Sequence, residues 1–100
     1  MSLRTTISAL AVTALAAPAM ADCSTVTFSD VGWTDITATT AATTTVLEAL
    51  GYETEVKVLS VPVTYVSLSQ GDVDVFLGNW MPTMEGDIAP YREDGTVEVV

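Results

Sequence analysis

Thr25-Val26-Thr27-Phe28-Ser29-Asp30-Val31-Gly32-Trp33-Thr34-Asp35 decides the fold. Thr25 to Ser29 alternates and is rich in β-branched residues, which predicts a first strand. Asp30 to Thr34 reads as a loop, with Gly32 as its turn signal. Asp35 can then cap a helix from Ile36 to Leu50. Gly51 follows, in the place where a helix end wants a left-handed residue. Seven of the twelve residues from Thr34 to Thr45 are Thr, a poor helix former. The length, the Ala content, the cap and the apolar Val46-Leu47-Glu48-Ala49-Leu50 end outweigh that. Small Ala and Thr side chains would also let the helix lie close on a sheet.

The same alternation continues down the chain. Glu55-Val56-Lys57-Val58-Leu59-Ser60 predicts a second strand. Pro62 is placed to open a short helix through about Ser69, and Gly71 ends it. Val73-Asp74-Val75-Phe76-Leu77 predicts strand three, followed by a Gly78-Asn79-Trp80-Met81-Pro82 loop. Residues 83–92 are weakly helical and broken by Pro90. After a Glu93-Asp94-Gly95 turn, a fourth strand begins near Val97. The order βαβαβαβ, with connections of crossover length, predicts an α/β fold with a mostly parallel sheet.

The N-terminus has a different character. Met1 to Thr6 carries Arg4, Ile7 to Ala17 is uncharged and apolar, and Pro18-Ala19-Met20-Ala21 places small residues at a cleavage site. This three-part layout predicts an export signal over residues 1–21, cleaved after Ala21, and a periplasmic destination. The apolar run is too short for a permanent transmembrane helix. Residues 22–100 keep all 13 acids, with Lys57 and Arg92 as the remaining cations. The final Val97-Glu98-Val99-Val100 reads as part of a strand. Residues 22–100 are therefore expected to be the N-terminal part of a larger lobe.

Composition excludes several function classes. The chain has 100 residues, 3 Lys plus Arg, and a formal net charge of −10. Nucleic acid needs clustered cations, so it is not an expected partner. An anionic membrane surface is disfavoured for the same reason. There is no His, so Ser–His and Cys–His catalysis lack their base. No carboxylate spacing selects a hydrolytic pair. No metal site or cofactor is expected, and a binding component is expected rather than an enzyme.

In open α/β sheets ligands bind beyond the carboxyl ends of the strands. Trp33 follows strand one and Trp80 follows strand three. If those strands are neighbours, both indoles share one rim. An indole face attracts a quaternary ammonium by about 0.5–2 kcal/mol. Asp35 can accept a hydrogen bond from a ligand hydroxyl. With so few cations to hold a carboxylate, a cationic alcohol fits better than a zwitterionic acid. The competing readings are Trp covers over the core edge and Asp35 as a plain cap. Tyr52, Tyr65 and Tyr91 are expected at the sheet edges. Asp72, Asp74, Glu53 and Glu55 are expected on a solvated face. Cys23, alone in an exported chain, is either a buried inert thiol or one half of a disulfide.

These residues resemble those of the substrate-binding proteins of glycine betaine/choline ABC importers, and most closely their choline-binding branch. The likeness is carried by Phe28-Ser29-Asp30-Val31-Gly32-Trp33-Thr34-Asp35, Leu47-Glu48-Ala49-Leu50-Gly51-Tyr52, Val61-Pro62-Val63-Thr64-Tyr65 and Asp74-Val75-Phe76-Leu77-Gly78-Asn79-Trp80-Met81-Pro82-Thr83-Met84. Gly-Trp-Thr-Asp together with Gly-Asn-Trp-Met-Pro is its more diagnostic part. The resemblance implies part of one lobe of a two-lobed (type II) periplasmic binding fold that closes like a hinged clamp. It implies Trp33 and Trp80 as two walls of an aromatic box around trimethylammonium, with Asp35 on the choline hydroxyl. It implies a disulfide for Cys23 with a partner beyond Val100, where the remaining box residues would also lie. The implied partners are choline or a related quaternary amine and an ABC permease subunit. Glycine betaine or carnitine binding within the same fold, and a small secreted enzyme or interaction module, are the alternatives.

Overall fold

A computed structural model describes residues 23–100; the export signal expected over residues 1–21 lies outside them. The elements run β1 (Thr25–Asp30), α1 (Thr34–Ala49), β2 (Glu53–Val58), α2 (Val61–Gln70), β3 (Val75–Phe76) and α3 (Glu85–Glu93). The strands form one parallel sheet in the order β2-β1-β3. β1 is therefore central, and strands one and three are neighbours, as the rim argument requires. β1 and β2 pair along their length, from Thr25 opposite Glu53 to Asp30 opposite Val58. β3 pairs only at Phe28–Val75 and Ser29–Phe76. Asp74 lengthens that contact: its N–H donates to Thr27 O, and its carboxylate accepts the Thr27 N–H, both at 2.8 Å. Asp74 thus has a structural task beyond the solvated face expected for it.

Neighbouring residues of a strand point to opposite faces, and Ser29 and Asp30 show which helix covers which. Ser29 Oγ lies 2.6 Å from Thr64 Oγ1 of α2, with both residues fully buried. Asp30 accepts from Thr37 Oγ1 of α1 at 2.8 Å. Helices α1 and α2 consequently sit on opposite sides of the sheet. On the α2 side, Tyr65, Met84 and Ile88 form the buried cluster, with Val61, Leu68, Phe76, Tyr91 and Val97 packed around it. On the α1 side, the buried positions are Ile36, Thr40 and Thr44, one turn apart. Two of those three are hydroxyl residues, and Thr40 Oγ1 is buried with no hydrogen-bond partner.

Helix α1 begins two residues earlier than expected. Trp33 occupies its N-cap position and offers no side-chain cap, while Asp35 lies within the first turn. Capping by Asp35 is therefore replaced by a brace from the strand end, described below. The exposed threonines return their hydroxyls to the helix: Thr39 donates to Asp35 O, Thr43 to Thr39 O and Thr45 to Ala41 O. That satisfies the hydroxyls locally and lets a Thr-rich segment stay helical. At its end, Gly51 N–H bonds Glu48 O and Tyr52 N–H bonds Leu47 O, the paired closure of a Schellman motif. Ser60, expected at the end of strand two, instead caps α2 by accepting the Val63 N–H.

Three further differences concern the C-terminal half. β3 has two residues where five were expected. Helix α3 runs through Pro90 rather than breaking there. The fourth strand expected near Val97 is absent among the described residues. A strand needs a ladder partner, and the Thr96 and Val97 N–H groups both turn back to Tyr91 O. Residues 96–100 line a cavity of about 530 Å³ beside β3, with Tyr65, Val75 and Ile88 among its walls. In the turn before it, the Thr96 hydroxyl and then its N–H hold the exposed Asp94 carboxyl below the usual range.

Candidate functional site

The loops that leave the carboxyl ends of β1 and β3 carry the two tryptophans to one place. Trp33 and Trp80 stand with ring centroids 5.9 Å apart and planes at 73°. This is the edge-to-face arrangement favoured by the aromatic quadrupole. The two planes make adjacent walls of a corner. The corner opens on a cavity of about 250 Å³ lined by Trp33, Asp35, Trp80, Thr83 and Met84. The cavity wall is mainly apolar, with one carboxylate and no basic side chain. All three residues proposed from the sequence thus meet at one cavity. Trp33 is 39% and Trp80 54% exposed, so neither indole is buried as a core cover.

The Trp33 loop is shaped from below by Asp30, which is buried. One carboxylate oxygen accepts the Gly32 N–H and the other the Thr37 hydroxyl, each at 2.8 Å. The first bond closes an Asx turn. Gly32 has φ of 83°, a left-handed geometry open to glycine at little cost. The second bond ties the loop to the first turn of α1. Together they orient Trp33 and Asp35 at the helix start. Asp30-x-Gly32 is readable as an Asx-turn signal, but sequence reasoning assigned the anchoring to Asp35 instead.

The Trp80 loop is held differently. The Tyr65 hydroxyl donates to Asn79 Oδ1 at 2.6 Å. The Trp80 N–H donates to the Met84 sulfur at 3.2 Å, and the Met84 N–H donates back to Trp80 O at 2.7 Å. The Met81–Pro82 peptide between them is cis. Tyr65 was expected at a sheet edge; it lies in the core, stacked on Tyr91 and edge-on to Phe76. Burial, with the Asp87 carboxylate second, pushes its phenol up to about 12. The hydroxyl therefore keeps its proton and its bond to Asn79 throughout the physiological range. Gly78 lets this loop approach the sheet, since a Cβ there would lie 2.8 Å from the Phe76 ring and 3.2 Å from Ile36.

Thr83 and Met84 are wall residues that sequence reasoning did not single out, although Met84 sits four residues after Trp80, one helical turn away. Cys23 is exposed with a free thiol, ahead of β1. It is the sole cysteine of the sequence, so the expected disulfide has no partner within it. Among the described residues no group of three His, Cys, Asp or Glu side chains could hold a metal. None of their helices is long and apolar enough to cross a membrane.

Residues 24–100 match the substrate binding domain of ABC-type glycine betaine transport system. The chain is similar to a solved ABC-transporter choline binding protein in complex with choline, with 83% identity and a TM-score of 0.71. That match covers 72% of this chain and 25% of the solved one. It is also similar to an ABC-transporter choline binding protein in an unliganded semi-closed conformation, with 81% identity and a TM-score of 0.72. That match covers 78% of this chain and 27% of the other. A protein of Chromohalobacter salexigens, "Uncharacterized protein ORF1", is 57% identical over 53 residues, which is 53% of this chain and 34% of the relative. The chain thus spans about a third of that curated relative and about a quarter of the solved chains.

Proposed function

The chain belongs to the family of substrate-binding domains of ABC-type glycine betaine transport systems, and from that membership we propose that it carries part of a choline site. In this reading it is the extracytoplasmic solute-binding component of an ABC importer and delivers choline to a permease. The observation that carries the choice of ligand is the Trp33–Trp80 corner. Its two indole faces suit a trimethylammonium group, which cannot donate hydrogen bonds and is drawn to π faces. Asp35, on the same cavity, accepts the choline hydroxyl. A cavity wall with an acid and no Lys or Arg suits a cationic alcohol. It disfavours glycine betaine or carnitine, whose carboxylate would face Asp35. Residues 1–21 direct export to the periplasm in this reading, and Cys23 forms a disulfide once there.

The test is a titration of the whole protein with choline and with glycine betaine, followed by tryptophan fluorescence. Choline should perturb the emission and bind more tightly than betaine. Asp35→Asn should weaken choline by more than about tenfold, through the lost charge and the weaker hydrogen bond together, and weaken tetramethylammonium, which has no hydroxyl, by a smaller factor. No fluorescence response to choline, or equal affinity for betaine, overturns the proposal.

A further inference from the structure

Trp80 is more than half exposed, so its indole is not fixed by close packing. Its backbone, by contrast, is tied to the deepest part of the molecule. Tyr65 is 1% exposed and stands between the Phe76 and Tyr91 rings. Its hydroxyl, at the far end of that packed ring, reaches Asn79 Oδ1 at 2.6 Å, one residue before Trp80. On the other side of Trp80, the Met84 sulfur accepts the Trp80 N–H, and the Met84 N–H returns to the Trp80 carbonyl. The same sulfur lies 3.9 Å from the Tyr65 oxygen. Both peptide groups of Trp80 are thus engaged, and both anchors converge on one buried phenol.

We propose that Tyr65, Asn79 and Met84 are positioning residues that set the Trp80 indole against Trp33, with the Tyr65 hydroxyl as the fixed point. Tyr65 and Asn79 act through Trp80 and are absent from the lining of the indole cavity, whereas Met84 both anchors Trp80 and forms part of the wall. A buried phenol suits this task because its ring is locked by packing and its single proton has Asn79 Oδ1 as its short-range acceptor, with the Met84 sulfur farther off. The Met84 thioether suits the second anchor because it is apolar enough for the core and still accepts a hydrogen bond. The inference rests on the choline reading for its consequence in binding, but the geometry it predicts needs no ligand.

Two indoles held edge to face at this distance couple their strong transitions and give an exciton couplet in far-ultraviolet circular dichroism. The whole protein should show that signal without ligand, and Trp80→Phe should abolish it. Tyr65→Phe keeps the ring and removes the bond to Asn79. It should diminish the signal and weaken choline and tetramethylammonium by the same factor, about five- to tenfold. A shared factor is expected because both ligands present the same ammonium to Trp80. Met84→Leu keeps the apolar volume, loses the sulfur acceptor, and should act in the same direction. A lower melting temperature with the exciton signal and both affinities unchanged would show Tyr65 to be ordinary core and overturn the proposal. Failure of the wild-type protein to bind choline would instead sink the ligand assignment, while the ligand-free signal still decides the brace.

Discussion

The two indoles form one corner, yet they are supported by unlike materials. Beneath Trp33 lie a buried carboxylate, Asp30, and a helix whose inner face is Ile36, Thr40 and Thr44. Beneath Trp80 lie a phenol, a thioether and the main apolar cluster of Tyr65, Met84 and Ile88. The first support is directional and polar; its strength resides in two short bonds to one carboxylate. The second is a packed cluster in which hydrogen bonds choose among positions that packing already confines. An exposed aromatic wall can therefore be held by either means, provided the bracing is buried.

The difference is broken most severely at Asp30. Replacing Asp30 with Ala removes the acceptor for both the Gly32 N–H and the Thr37 hydroxyl. Hydrogen bonds to a charged group contribute about 1.5–3 kcal/mol each, so the whole protein should lose roughly 3–6 kcal/mol in denaturant unfolding. Asp30→Asn keeps one acceptor oxygen and should lose about half as much. A loss confined to Asp30→Ala, with Asp30→Asn as stable as the wild type, would mean that volume, not the paired bonds, supports the Trp33 loop.

The next effect concerns the walls themselves. Trp33→Ala and Trp80→Ala should each reduce choline affinity by about 2 kcal/mol, roughly thirtyfold, in isothermal titration. Near-equal losses would show that the unlike supports present equivalent surfaces. A loss confined to one indole would show that only one face meets the ammonium.

Tyr65 separates the supports by pH. Its phenol titrates near 10 when unfolded and at about 12 when folded, because burial and then the Asp87 carboxylate disfavour its anion. Between those values the unfolded chain binds fewer protons than the folded one, so stability falls as pH rises from about 10 towards about 12. Tyr65→Phe should flatten that alkaline decline in a melting series. An unchanged decline would assign it to other groups.

These supports also mark what could be read from the sequence. Alternation in Thr25–Ser29, the glycines that end α1 and α2, and crossover-length connections were enough to place three parallel strands and the helices between them. The rim position of Trp33, Asp35 and Trp80 followed from that order, since loops after neighbouring parallel strands must share an edge. The braces did not follow. Asp30 and Asp35 are both acids beside a helix start, and local propensity alone favours the one nearer the apolar run. Tyr65 looks like any aromatic on a short helix until the fold brings Asn79, 14 residues away, to its hydroxyl. The strand expected near Val97 fails for the complementary reason: β-branched residues specify extended backbone, while a ladder requires a neighbour.

The smallest effect should come from the one flaw in the polar support. Thr40 faces inward from α1 at 1% exposure, and its hydroxyl has no partner. Elsewhere on this helix, Thr39, Thr43 and Thr45 return their hydroxyls to a carbonyl one turn back. Thr40 therefore carries the desolvation cost of a hydroxyl with no bond to offset it. Thr40→Val preserves the branched shape and replaces that hydroxyl with a methyl. Helix propensity is nearly the same for the two residues, so the change isolates the hydroxyl. It should stabilise the protein by about 1 kcal/mol in denaturant unfolding and leave choline affinity unchanged. Destabilisation would mean that the hydroxyl is satisfied in solution by a bound water, and that the Trp33 side depends on a polar core more deeply than its two carboxylate bonds suggest.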